Sequence, residues 1–253
     1  LTESILTKFG FDKYDVMLST RPEKAVGSDD IWEAATKALE GALVRKGWPY
    51  KIDEGGGAFY GPKIDLKIRD AIGRQWQCST IQCDFNLPER FELEYKTADN
   101  TKERPIMVHR AIFGSLERFF GILIENCEGN FPLWLAPEQM RLLPVTDAAQ
   151  DYCYEVAKKA KKAGLRIEVD RGNERLPKQI RNAEQQRVPV MAVVGQKEME
   201  SGTLAVRSRQ LGDLGSFSVD DLIAELSQCT KDTVEMTKMG EVEEKEEESS
   251  ENE

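Results

Sequence analysis

Along residues 62–69 the chain reads Pro-Lys-Ile-Asp-Leu-Lys-Ile-Arg, apolar and polar side chains alternating without a break. A period of two is the signature of a strand with one buried and one polar face. A turn signal follows at residues 70–73, and residues 74–85 then predict a second strand, so the pair reads as an antiparallel hairpin. Other elements gather around it. Thr2–Lys8 reads as a helix, residues 13–19 as a strand, and Ser28 as the cap of a helix with Ile31, Ala35, Ala38, Leu39, Ala42 and Leu43 on its apolar face. Gly47 ends that helix. Residues 105–110 predict a short strand leading into Gly114-Ser115, after which Leu116, Phe119, Phe120, Leu123 and Ile124 recur at helical spacing.

The pattern changes after residues 131–137, Phe-Pro-Leu-Trp-Leu-Ala-Pro, where two prolines and a tight apolar cluster mark a boundary. Strands at 141–145, 165–169, 188–194 and 204–209 then alternate with helices at 148–163, 176–186 and 219–226, the pattern of a compact α/β domain. Three segments are expected: 1–137, an α+β domain on an antiparallel sheet; 138–230, an α/β domain; and 231–253, a disordered acidic tail. That tail holds ten of the 45 acidic residues and three of the 35 basic ones, so most of the net charge of −10 belongs to it. The folded part is close to neutral, which argues against binding nucleic acid by bulk charge but leaves room for a local basic face.

Five scattered cysteines do not form the framework of a disulfide-stapled secreted domain and suit a reducing compartment. No apolar run approaches the roughly 18 residues that cross a bilayer, and no charged-then-apolar leader is visible. A soluble chain with no membrane partner is expected. Because Leu1 falls inside a helical pattern and is not a Met, the sequence reads as starting partway through a longer protein.

Several residues carry chemistry. The loop from Gly55 to Lys63 holds four glycines with Tyr60 and Lys63, so backbone can approach a ligand beside a hydroxyl and a cation; a hairpin loop with an aromatic plug would look the same. The next strand intersperses Gln77, Thr80 and Gln82 among apolar neighbours, as a polar small-molecule site or an exposed sheet face would. Strand parity places Cys78, Thr80 and Gln82 on one face and Gln77, Ile81 and Cys83 on the other. Cys78 and Cys83 thus cannot easily share a metal. His109 is the sole histidine of the chain. Arg118, between apolar helix residues, calls for an anionic partner: a phosphate, or Glu117 or Glu125 as a plain ion pair.

The segments Leu18-Ser19-Thr20-Arg21-Pro22, Gly57-Ala58-Phe59-Tyr60-Gly61-Pro62-Lys63, Trp76-Gln77-Cys78, Asp84-Phe85, His109-Arg110-Ala111-Ile112, Gly114-Ser115-Leu116-Glu117-Arg118-Phe119 and Trp134-Leu135-Ala136-Pro137 together resemble the threonyl-tRNA synthetase family of class II aminoacyl-tRNA synthetases. The resemblance runs from about residue 10 to residue 227. It implies an incomplete class II catalytic domain followed by an α/β anticodon-binding domain, and a two-step reaction. Threonine and ATP, with Mg2+, give threonyl-adenylate and pyrophosphate; the acyl group then moves to the 3′ end of tRNA(Thr). Residues 114–118 resemble class II motif 3, so Arg118 would hold the γ-phosphate of ATP, with Gln77, Thr80 and Ser115 near the nucleotide. Tyr60 and Gln82 would lie near threonine, and Lys63 near the reacting phosphate or carbonyl. Gln77, on the opposite strand face from Thr80, fits that set if a bulge or strand end re-aims it.

His109 matches the third ligand of the family's Zn2+, which selects threonine through its hydroxyl. The other two ligands and motifs 1 and 2 are expected upstream of Leu1, and the family's hydroxyl-binding aspartate is missing from the chain too. Gly56 stands where the family would place an acidic residue. In the second domain Asn173, Arg175, Arg181, Lys197, Glu198, Arg207 and Arg209 form the expected anticodon face, with Glu198 reading a base; an ordinary solvated surface would account for most of them singly. A homodimer is implied for the full-length form, in the cytoplasm or, given an upstream transit peptide, in a chloroplast or mitochondrion. A catalytically silent RNA-binding derivative is the alternative, and an unrelated α/β enzyme a third reading.

Overall fold

In a computed structural model the described residues are 1–171, 174–234 and 236, and the chain divides into two compact units, Leu1–Asn126 and Cys127–Glu253. In order along the first unit lie α1 (Thr2–Lys8), β1 (Tyr14–Ser19), α2 (Asp29–Lys46), β2 (Lys51–Asp53), β3 (Lys63–Arg69) and β4 (Gln75–Asp84). They are followed by α3 (Asn86–Arg90), β5 (Tyr95–Lys96), β6 (Lys102–Glu103), β7 (Met107–Ala111) and α4 (Leu116–Asn126). Strands β5 and β6 form a small separate hairpin, while the main sheet runs β2-β1-β3-β4-β7. Every pairing in that sheet is antiparallel except β1 with β2, which α2 joins as a crossover.

The alternation at 62–69 becomes β3. Ile64, Leu66 and Ile68 are buried together with Val16 and Leu18 of β1, and α2 is the crossover helix of that sheet. Ser28 caps α2 by accepting the amide of Ile31, and Gly47 ends it at φ +70. Its buried face is Trp32, Ala35, Leu39 and Leu43; the expected Ile31, Ala38 and Ala42 are exposed. The correction has a local cause: the Trp32 indole donates to the Val26 carbonyl at 2.7 Å, which rotates the face by about one residue. In α4, likewise, Phe119, Ile122 and Leu123 are buried whereas Leu116, Phe120 and Ile124 are exposed. Phe119 packs edge-on against Phe9 with centroids 5.2 Å apart and lies 4.3 Å from Phe113.

The polar face of β3 is not a solvated one. Cross-strand partners share a face, so Lys63, Asp65 and Lys67 align with Ser19, Met17 and Asp15 of β1 on one side. On the other side they meet Gln82, Thr80 and Gln77 of β4. The register jumps there: Leu66 opposes Ser79 but Lys67 opposes Gln77, leaving Cys78 as the extra residue of a β-bulge. Strand parity across Cys78 is therefore corrected, and Gln77 joins the face of Thr80 and Gln82.

The second unit holds β8 (Met140–Pro144), α5 (Ala148–Lys162), β9 (Ile167–Val169), α6 (Leu176–Gln185), β10 (Val190–Val194), α7 (Gln196–Ser201), β11 (Thr203–Ser208), β12 (Gly212–Ser218) and α8 (Val219–Asp232). Its sheet order is β12-β11-β10-β8-β9, with β8, β9 and β10 parallel. Helices α5 and α8 cover one face through Cys153, Val156, Leu222 and Leu226, and α6 packs on the other against Leu143 and Met191. The 131–137 cluster is part of this unit, since Leu133 is fully buried in the same core and Gln139 bonds both the Leu133 carbonyl and Thr230. Helix α8 continues through Lys231 and Asp232, positions read above as tail; the acidic run 241–248 lies outside the described residues.

The β3–β4 turn is locked by Asp70, whose buried carboxylate accepts the amides of Ile72 and Arg74, the Arg74 guanidinium at 2.5 Å and the Trp76 indole at 2.9 Å. Burial pushes this carboxyl up, but hydrogen bonds from Trp76 and Arg74 and the charge of Arg74 outweigh it and hold it at about 2, against an ordinary 3.8. A carboxyl more acidic in the folded than in the unfolded chain contributes stability above the unfolded value, and that contribution disappears as pH falls toward the folded one. Urea unfolding of the protein should thus lose stability between about pH 4 and pH 2, and Asp70→Asn should be less stable at neutral pH and flatter across that window. Superimposable midpoints for the two proteins from neutral to acid pH would overturn this role.

Candidate functional site

Four strands and the start of one helix build a polar surface on the first unit. At its centre is Asp65, 2% exposed. Its Oδ2 faces the Lys63 ammonium at 2.7 Å and accepts from the Ser19 hydroxyl at 3.2 Å. Its Oδ1 accepts from Gln77 Nε2 and from Thr80 Oγ1, both at 2.6 Å. Gln77 also donates to Thr80 at 3.1 Å, so the bulge brings these two sequence-predicted residues into direct contact.

Beside this cluster Tyr60 donates its hydroxyl to Gln82 Oε1 at 2.9 Å, and its ring meets His109 edge-on at 6.4 Å. The glycine loop reaches this place because its backbone is pinned on two sides. Gly57 donates to the Thr20 carbonyl, and a Cβ there would lie 2.4 Å from that oxygen. A Cβ at Gly61 would lie 1.7 Å from the Cys83 carbonyl. No other residue permits such approach. At Gly56 a Cβ would fall 2.2 Å from Asp53 Oδ2, so the Asp53 carboxylate occupies the place a side chain at 56 would need.

His109 sits opposite Gln82 on β7. Its Nε2 lies 2.8 Å from Oδ2 of fully buried Asp84, whose other oxygen accepts the amides of Asn86 and Leu87 at the start of α3. A ring that donates from Nε2 keeps the Nδ1 lone pair for another partner. Among the described residues no three His, Cys, Asp or Glu side chains converge as a metal site, so this chain by itself does not form the zinc site that the resemblance implies. Burial pushes the thiols of Cys78 and Cys83 up, at Cys78 against the lowering influence of Arg118, which leaves both poor metal ligands.

Arg118 forms neither of the carboxylate ion pairs open to it among the described residues. It is exposed, and the Glu117 carboxylate accepts from the Ser115 hydroxyl at 2.7 Å instead. Its guanidinium stacks 5.5 Å from the centre of the Trp76 ring and donates to the Gln77 carbonyl at 3.4 Å. Gly114, at φ +68 and with its Cβ position 3.0 Å from the Cys78 carbonyl, lets the head of α4 close onto the bulge. Ser115 Oγ accepts the Arg118 amide at 3.3 Å, starting the helix. An exposed guanidinium on the face of an aromatic ring, next to a paired lysine and neutral donors, suits an anionic polar ligand.

Asp65, Ser19 and Asp84 escaped the sequence reading as site residues. The missed signal was cross-strand: an aspartate between Ile64 and Leu66, opposite a threonine, is a buried carboxylate once the strands pair. In the second unit, Arg181 on α6, Lys197 at the head of α7 and Arg207 on β11 are exposed, and Arg207 lies 4.0 Å from Glu184 of α6. Glu198 belongs to α7, a helix the sequence did not predict, and accepts the Gly195 amide at 2.9 Å, committing one carboxylate oxygen to the helix start. Arg209 is tied to the carbonyls of Phe131 and Arg187. Asn173 lies outside the described residues.

Residues 1–127 match the family model described as the tRNA synthetase class II core domain (G, H, P, S and T), and residues 139–228 match the one described as the anticodon binding domain. The chain is 64% identical over 227 residues to the threonine–tRNA ligase, chloroplastic/mitochondrial 2, of Arabidopsis thaliana, covering 90% of this chain and 35% of the relative. It is 63% identical over 224 residues to the threonine–tRNA ligase of Synechococcus sp. (strain CC9605), covering 88% and 37%. Among solved structures, the RNA binding domain of threonyl-tRNA synthetase from Cryptosporidium parvum Iowa II superimposes with a TM-score of 0.85 at 35% identity, over 90% of this chain and 57% of that one. The chain spans little more than a third of the length of the curated relatives it matches. With both units matched in order, the chain belongs to the class II aminoacyl-tRNA synthetases and, among them, to the threonyl-tRNA synthetase family.

Proposed function

We propose that this chain works as part of a threonine–tRNA ligase, which joins threonine to ATP as the adenylate and then transfers the acyl group to tRNA(Thr). One observation carries the reading: the bulge at Cys78 sets Gln77 beside Thr80 and seats Arg118 above them, a cation over neutral donors on a single face. In this reading Arg118 holds the ATP γ-phosphate, Gln77, Thr80 and Ser115 border the nucleotide, Tyr60 and Gln82 receive threonine, and Lys63 faces the reacting phosphate or carbonyl. Fixed cations and donors stabilise the charge that develops as the threonine carboxylate displaces pyrophosphate. Mg2+ accompanies ATP. His109 has the chemistry of one Zn2+ ligand, with its partners outside these 253 residues, and no step is assigned to that metal.

The second unit supplies the tRNA contact, with Arg181, Lys197 and Arg207 as phosphate or base partners, Glu198 as a base reader through its remaining oxygen, and Asn173 in the same set. A homodimer is the proposed assembly of the complete enzyme. The organelle named for the Arabidopsis relative supports a chloroplast or mitochondrial site of action over a cytoplasmic one. No helix among the described residues is long and apolar enough to cross a membrane.

The purified 253-residue chain is expected to lack threonine-dependent ATP–pyrophosphate exchange, since it brings one phosphate-facing arginine and one imidazole to chemistry that needs more of each. Measurable exchange at micromolar protein would contradict this. In the complete enzyme Arg118→Ala should slow exchange by about 10²–10³-fold, as for loss of one charge-stabilising donor; a loss below tenfold would leave Arg118 a structural stacking residue.

For RNA, a segment spanning residues 127–234, which keeps the buried Leu133 and the Gln139–Thr230 bond, should bind a tRNA(Thr) anticodon stem-loop in a salt-sensitive manner. Arg181→Ala should weaken cognate and altered loops alike. Glu198→Gln, which keeps an acceptor for the Gly195 amide, should shrink the difference between them. Equal affinity of the unaltered segment for unrelated stem-loops would remove the recognition claim.

A further inference from the structure

The buried carboxylate of Asp65 touches more of the site than any residue assigned a role above. Its two oxygens divide the work. Oδ2 meets the Lys63 ammonium and the Ser19 hydroxyl, and Oδ1 meets Gln77 and Thr80. Lys63 keeps 17% of its side-chain exposure while its partner keeps 2%, so the ammonium is the end that faces outward and the carboxylate is sealed beneath it. An ionised carboxylate at such depth is held by its partners, and they are oriented by it in turn.

We propose that Asp65 is a positioning residue of the adenylate-forming site: through one oxygen it fixes the Lys63 ammonium over the reacting centre, and through the other it fixes the Gln77–Thr80 pair. The proposal rests on the reading of the site as an aminoacyl-adenylate site. The connection follows from the fold. Lys63 and Asp65 are two apart on β3 and so share its polar face, and the β4 bulge aims Gln77 and Thr80 at the same carboxylate. A lysine on a flexible four-carbon stem does not hold one position unaided, whereas an ion pair anchored to a buried oxygen removes most of that freedom. Ser19 adds a donor to the oxygen that holds Lys63 and so completes its hydrogen bonding without competing for the site's open side.

The test uses the complete enzyme and compares the unaltered protein with Asp65→Asn, Lys63→Met and the double variant. Asparagine retains an acceptor for Gln77 and Thr80 and removes the partner of Lys63, so Asp65→Asn should lower kcat for ATP–pyrophosphate exchange at least thirtyfold, with KM for threonine and ATP within threefold. If Asp65 acts through Lys63, adding Asp65→Asn to Lys63→Met should change kcat by less than threefold. That double variant is neutral at both positions and leaves no buried ion unpaired, so it serves where Asp65→Asn alone does not fold. Mass-spectrometric labelling of Lys63 with acetic anhydride, referenced to exposed Lys37, gives a readout independent of turnover: release from Asp65 should speed labelling at least tenfold. Asp65→Asn within threefold of the unaltered kcat, multiplying losses in the double variant, or unchanged labelling would each overturn the proposal. Absence of threonine-dependent exchange in the unaltered complete enzyme would instead defeat the reading of the site, and the labelling result would still decide whether Asp65 holds Lys63.

Discussion

The pairing of β3 with β4 carries one residue more on β4 than on β3, and where that residue falls decides what the sheet can present. With Cys78 bulged out, Gln77 turns from the face of Ile81 to the face of Thr80. An unbroken ladder would give one more regular pair and set an amide side chain opposite buried Ile68 and beside Leu66. The bulge gives up ladder regularity and recovers hydrogen bonds from Gln77 to Asp65 and Thr80. It also shapes the Cys78 carbonyl surface onto which Gly114 closes, so the head of α4 and the guanidinium of Arg118 are placed by the same irregularity.

Three buried carboxylates make this surface rigid, each in its own way. Asp70 locks the hairpin turn and, through the Trp76 indole, the ring on which Arg118 rests. Asp65 gathers four donors from three strands. Asp84 spans the start of α3 with one oxygen and His109 with the other. An unpaired buried charge is costly, on the order of 3–5 kcal/mol when one partner of a buried ion pair is removed. Side chains bonded to these oxygens are therefore held before any ligand arrives, which is the condition under which fixed dipoles and charges favour a transition state over a ground state.

How far the sequence reveals this depends on the range of the interaction. Elements set by local rules were legible: the alternation of β3, the Ser28 cap and Gly47 end of α2, and the strand and helix order of the second unit apart from α7 and β12. What depended on partners several strands away was not. Trp32 displaced Ile31 from the buried face of α2 because of a bond to Val26, and parity failed at Cys78 because register is a property of two strands. Short elements such as β2, α3, the β5–β6 hairpin and α7 carry too few periods to register as patterns, and the alternation of β12 is interrupted by Gly212 and Gly215. Of the site, Tyr60, Gln82, Lys63, Thr80 and Gln77 do meet on one face; the aspartates that bind them together were visible as residues but not as buried ones.

The two units handle polar groups in opposite ways, and the difference matches the ligands each is proposed to meet. In the first, Lys63, Gln77 and Thr80 are bonded to buried Asp65 and Tyr60 to buried Gln82, so these side chains have little freedom left, which suits selection of a small amino acid and a triphosphate. In the second, Arg181, Lys197 and Arg207 stand exposed at the surface of an otherwise apolar α/β core, and Glu198 spends one oxygen on its own helix while the other has no hydrogen-bond partner among the described residues. Long exposed side chains on a rigid sheet can follow unstacked bases and a phosphate backbone that themselves lack a fixed shape. Precision thus resides where bonds are proposed to change, and adaptability where an RNA loop is proposed to be recognised.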